Sequence, residues 1–142
     1  MNKLVYGKGF NDKTRPTFVD GKMVKEYKLW TGMLERCFSE KLQTHRPTYK
    51  GCNVSDNFLN YSYFYDWCQE QTGFGKVDDK GRSWCLDKDL LFVGNKTYSE
   101  TACVFVPQEI NSFSLIVVTL EVNILLVLFL INKQVSFRHI AL

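Results

Sequence analysis

The chain has 142 residues, of which 23% are charged and 15% aromatic, with five cysteines. That length holds one ordinary domain or two small ones, and that composition excludes a chain disordered throughout. The formal charge of +3 is mild but uneven: residues 1–50 carry eleven Lys and Arg against five acids, and residues 51–142 carry seven against ten. A basic front suits contact with phosphate and an acidic back suits cation-binding carboxylates. The alternative is a soluble domain with unevenly spread surface charge.

Cysteines 37, 52, 68, 85 and 103 form no CxxC pair, which argues against structural zinc. Their odd number and the absence of a secretory signal at Met1–Tyr6 fit reduced, mostly buried thiols in a cytoplasm. Gly7-Lys8-Gly9 lacks the rest of a phosphate loop, so nucleotide binding is set aside. Thr17–Val19 and Met23-Val24 are expected to form a hairpin across Asp20-Gly21, a good two-residue turn. From Lys25 to Phe38, Tyr27, Trp30, Met33, Leu34 and Cys37 recur at spacings of three and four. This predicts an amphipathic core helix with Lys25, Lys28, Glu35 and Arg36 on its other face. Lys25, Lys28 and Arg36 are the candidate DNA-phosphate contacts.

Lys41–Lys50 reads as a polar linker containing His45, one of two histidines. A lone His in a polar loop is usually solvated; the competing role for this one, the only histidine ahead of the C-terminal tail, is that of a general base. Ser55 with Asp56 reads as the start of a helix of about 14 residues. Phe58, Tyr61, Tyr65 and Cys68 give its stripe, widened by Phe64 and Trp67. Core is preferred to a base-stacking surface, because no basic residues lie between the aromatics. Gln71–Arg82 is a glycine- and lysine-punctuated loop.

Trp84–Asn111 predicts strand, loop, strand and helix start. Trp84, Leu86 and Leu90–Val93 are the apolar part of its first half, and Gly94-Asn95 is a turn signal. Cys103–Val106 reads as the second strand, and Pro107 suits the first turn of a helix that continues through Asn111. Asp87 and Asp89 flank Lys88 at the first strand's end. Acidic and amide groups brought together across a hairpin and a helix are how a divalent cation is held against a phosphate. The competing reading of Asp87-Lys88-Asp89 is a surface turn with local ion pairs.

The pattern LDKD…GN…Y…CVFVP..IN within this stretch resembles the ββα-metal core of HNH endonucleases. The resemblance is to the variant that tailed bacteriophages carry as small free-standing homing-type nucleases. It extends over residues 1–113 and includes YKLW.GMLERC, similar to the helix that precedes the core in these proteins. It implies that Asp87 and Asn111, with Asp89 as a second candidate, hold Mg²⁺ or a similar cation. It also implies that Asn95 orients the catalytic group or its backbone. Lys88 stands where the family has the general-base His. Lysine is protonated near neutral pH, so the role expected of Lys88 is a phosphate contact.

Beyond Phe113 the chain changes character. Residues 114–131, SLIVVTLEVNILLVLFLI, are apolar except for Glu121, Asn123 and a few small polar groups. A membrane helix at the short end of spanning length is one reading, with a costly central Glu. A buried strand pair or an aggregation-prone segment is another. A third reading is a shifted frame. Read one base back, the codons of Thr119–Val127 permit S-R-G-K-Y-P-I-G-V, and those of 131–141 permit K-Q-T-G-K-F-Q-A-H-C or close variants. That translation resembles the start of the ethylene-response-factor type DNA-binding domain that phage HNH proteins often carry behind the nuclease core.

The expected architecture is therefore α+β, with two N-terminal helices packed on a small HNH-like ββα core and an atypical apolar tail. The expected divisions are 1–82, 83–113 and 114–142. The expected activity is metal-assisted hydrolysis of double-stranded DNA in the cytoplasm of an infected bacterial host, weakened by the loss of the His. A DNA-binding protein without catalysis, a small membrane-anchored phage protein held through 114–131, and a structural or inactive nuclease remnant are the alternatives.

Overall fold

The computed structural model describes residues 3–113. The tail 114–142, with its membrane, buried-strand and shifted-frame readings, lies outside the described residues. Among the described residues no helix is long and apolar enough to cross a membrane. The architecture of the described residues is mixed, with four α-helices and short paired strands.

The chain opens with the predicted hairpin. β1 (Phe18–Val19) pairs antiparallel with β2 (Lys22–Met23), Phe18 opposite Met23. Asp20 (φ 51°) and Gly21 (φ 75°) both adopt the left-handed conformation that a tight two-residue hairpin demands. α1 follows at Lys25–Phe38, with the predicted bounds, and buries Trp30, Met33, Leu34 and Cys37.

The expected linker 41–50 is instead mostly helical. Ser39 closes α1 with its backbone N–H on the Glu35 carbonyl, and its hydroxyl accepts the Leu42 N–H to cap α2 (Glu40–His45). A 3-10 turn, Pro47–Tyr49, follows. A serine cap with Glu40 in the first turn suffices for a short helix that has no buried face.

The aromatic helix also starts later than expected. α3 spans Tyr61–Glu70, capped by Asn60, whose Oδ1 accepts the Ser62 N–H. Ser55 instead accepts the Phe58 N–H and donates to Glu100. The reason is tertiary: residues 56–59 make a turn, and Phe10 then takes the Leu59 carbonyl with its N–H and the Tyr61 N–H with its carbonyl, which holds Asn60 between them extended. The aromatic stripe is core, as preferred. Phe58, Tyr61, Phe64, Trp67 and Cys68 are buried. Phe58 meets Phe64 edge-on at 5.1 Å, and Trp30 donates its indole N–H to the Phe58 carbonyl at 2.8 Å.

In the second half, β4 (Cys85–Asp87) pairs antiparallel with β6 (Val104–Val106), Leu86 opposite Phe105, and α4 (Gln108–Phe113) follows Pro107. The first strand is shorter than its apolar content suggested. The Asp87 carboxylate accepts the N–H groups of Asp89 and Leu90, which turns the chain out of the strand and leaves Phe92 and Val93 exposed. An unforeseen parallel pair joins the halves: β3 (Asn53–Val54) lies beside β5 (Thr97–Tyr98). Trp84, Cys103 and Phe105 share one buried cluster with α1 and α3, so the core is continuous across position 83.

Candidate functional site

A groove of about 870 Å³ runs between α1 and the β4–α4 region. α1 contributes Lys25, Lys28 and Arg36, the end of β4 contributes Asp87, Lys88 and Asp89, and α4 contributes Asn111. Leaving His45 aside, seven of the eight candidate metal, catalytic and phosphate-contact residues therefore line one concavity, although they come from three separate segments.

The eighth, Asn95, stands behind it. Its amide nitrogen donates to the Lys88 carbonyl at 2.9 Å and to the Thr97 carbonyl at 2.7 Å. Its oxygen accepts the Thr97 N–H at 3.2 Å. One short side chain thus stitches the start of the loop to its end and fixes the backbone at Lys88.

Asp87 is buried. Its Oδ2 accepts from Asp89 N at 2.9 Å and Leu90 N at 2.6 Å, while Oδ1 makes no hydrogen bond among the described residues. Burial raises its pKa above the ordinary aspartate value, and the two N–H donors only partly oppose that. Lys88, also buried, donates to Asp89 Oδ1 at 2.6 Å, and its ammonium lies 5.6 Å from the Tyr98 ring centroid. Arg36 donates from Nε to the Tyr98 hydroxyl at 3.0 Å, with its guanidinium 5.4 Å from the Tyr98 centroid and 6.0 Å from that of Tyr49.

The α1 cations differ in what they can offer. Lys28 is exposed. Lys25 lines the groove, but its ammonium donates to the Phe74 carbonyl and sits 4.7 Å from the Phe74 centroid. Burial lowers its pKa. Lys25 therefore tethers α1 to the 71–82 loop and is a poorer phosphate donor than its position in sequence implied. His45 is exposed on α2, its Nδ1 3.0 Å from the Lys41 carbonyl, and does not line the groove.

Among the described residues, no three His, Cys, Asp or Glu side chains converge as a metal site. The groove offers a sparser set of oxygen donors: Asp87 Oδ1, the Asn111 amide, and Asp89 if it exchanges Lys88 for a cation. Such a set suits a hard ion that keeps most of its waters, as Mg²⁺ does, and is unlike a zinc site. Tyr98 and Tyr49 also line the groove, and no role was read for either from sequence. Tyr98 stands in the motif pattern, but nothing in its neighbours' spacing shows that it would meet Arg36 of α1.

Comparison with protein-family models, with curated proteins and with solved structures gives no match.

Proposed function

We propose that this chain is a metal-dependent DNA endonuclease of the HNH type, slowed by Lys88 at the position of the base. The observation that carries the reading is the single groove, where the acidic end of β4, the α4 amide and the α1 cations meet. Asp87 Oδ1 and Asn111 would hold Mg²⁺. Bound there, the ion would stabilise the oxyanion leaving the scissile phosphodiester. Arg36 and Lys28 neutralise backbone phosphates of double-stranded DNA, and Lys88 contacts the scissile phosphate. Asn95 keeps the Lys88 backbone in place from behind. The setting proposed for this activity is the cytoplasm of a phage-infected bacterium.

A second reading is a DNA-binding protein without catalysis. It is favoured by the Lys88–Asp89 ion pair, which fills the base position with a neutralised cation. Nicking of supercoiled plasmid with Mg²⁺ or Mn²⁺ separates the two. The endonuclease reading expects nicking by the wild type and loss of it in Asp87→Ala. Retained DNA binding with no nicking by either protein would replace the first reading with the second.

A further inference from the structure

We infer that Tyr98 is a positioning residue that sets Arg36 and Lys88 as one clamp for a phosphodiester; the inference rests on the DNA reading above. Tyr98 does not belong to the hairpin or helix that carry the candidate metal donors. It arrives on β5, registered against Val54 by the parallel pairing, with its carbonyl accepting the Ser55 N–H at 2.8 Å. Its side chain is 4% exposed, so the ring is fixed by packing before any ligand arrives.

That ring holds two cations at nearly equal distance, Arg36 at 5.4 Å and Lys88 at 5.6 Å. Two like charges beside one ring repel, and each needs a local partner. The aromatic face attracts both. Asp89 takes the Lys88 ammonium, and the tyrosine hydroxyl takes Arg36 Nε. The division of labour within Arg36 matters most. Its Nε is spent on Tyr98, while its two terminal nitrogens make no hydrogen bond among the described residues. A guanidinium anchored through Nε, with its fork left to the groove, is prepared for phosphate oxygens without first losing its rotamer freedom. Lys88 lies beside the same ring and next to Asp87 in the chain, so a phosphate gripped by the pair stands at the candidate metal donors.

The test compares wild type with Tyr98→Phe, Arg36→Ala and the double variant for binding to a short DNA duplex over a salt series. Tyr98→Phe keeps the ring and removes only the hydroxyl. Its expected effect is a loss of up to about tenfold in affinity. The salt slope should fall by about one phosphate contact. The double variant is expected to bind no worse than Arg36→Ala alone, because the hydroxyl acts through the guanidinium. A Tyr98→Phe protein with unchanged affinity and slope overturns the inference, and so do additive losses in the double variant. A wild type that binds no duplex removes the DNA reading itself. The same proteins titrated with dimethyl phosphate then judge the clamp alone: weaker binding in Tyr98→Phe supports it, while equal binding or none overturns it.

Discussion

In the proposed nuclease, Lys88 is the residue on which the chemistry turns. Its ammonium is held between Asp89 and the Tyr98 ring, and a protonated amine there can grip an anion but cannot take a proton from water. Lys88→His is therefore expected to raise plasmid nicking by about 10²-fold, the lower end of what a placed general base contributes. The gain should grow with pH as the imidazole loses its proton around 6.5, the ordinary histidine value. A Lys88→His protein that nicks no faster than wild type at any pH would remove this position from the base role. The backbone there is already prepared, because Asn95 holds the Lys88 carbonyl whatever side chain the residue bears.

At the scale of elements, the β4–β6 pair is seated by a glycine in the loop before it. A Cβ on Gly73 would lie 2.7 Å from Phe105 Cβ, 2.8 Å from Trp84 Cε3 and 3.0 Å from the Phe105 carbonyl oxygen. Backbone on one side and an indole on the other leave little to yield. Gly73→Ala is expected to cost about 1–3 kcal/mol, read as a lowered denaturation midpoint. The elements that were legible in sequence are those whose signal is local. α1 shows an unbroken helical stripe, the β1–β2 hairpin shows Asp-Gly, and α4 follows Pro107. The misread ones were decided by a distant partner in one case and by a side chain competing for nearby backbone in the other. Ser55 looks like a cap and does cap one turn, yet Phe10 holds Asn60 extended and Asn60 becomes the cap of the long helix. Leu90–Val93 look like strand, yet the Asp87 carboxylate captures two N–H groups and bends the chain away. The candidate site divides the same way. Asp87, Lys88 and Asn111 could be named from a pattern, whereas the Tyr98–Arg36 bond spans 62 positions and leaves no mark on either neighbourhood.

Over the whole molecule, the groove has one wall from the first half of the chain and one from the second, and the parallel β3–β5 pair ties them together. That pair is very short, and the chain between its strands runs from 54 to 97. Closing a loop of that size costs roughly 3 kcal/mol in chain entropy, which a few hydrogen bonds repay poorly by themselves. We therefore expect the aromatic cluster of α1 and α3 to form early and the β5 contact late, once Tyr98 can be packed away. Pulsed deuterium labelling during refolding checks the order: the Asn53 and Ser55 amides, which donate to Lys96 and Tyr98, should become protected after the amides of α1. Simultaneous protection would count against it. A nascent chain leaving the ribosome would then carry the cationic wall of the groove well before the acidic one, so in the proposed nuclease any hold on nucleic acid would precede the power to cut it.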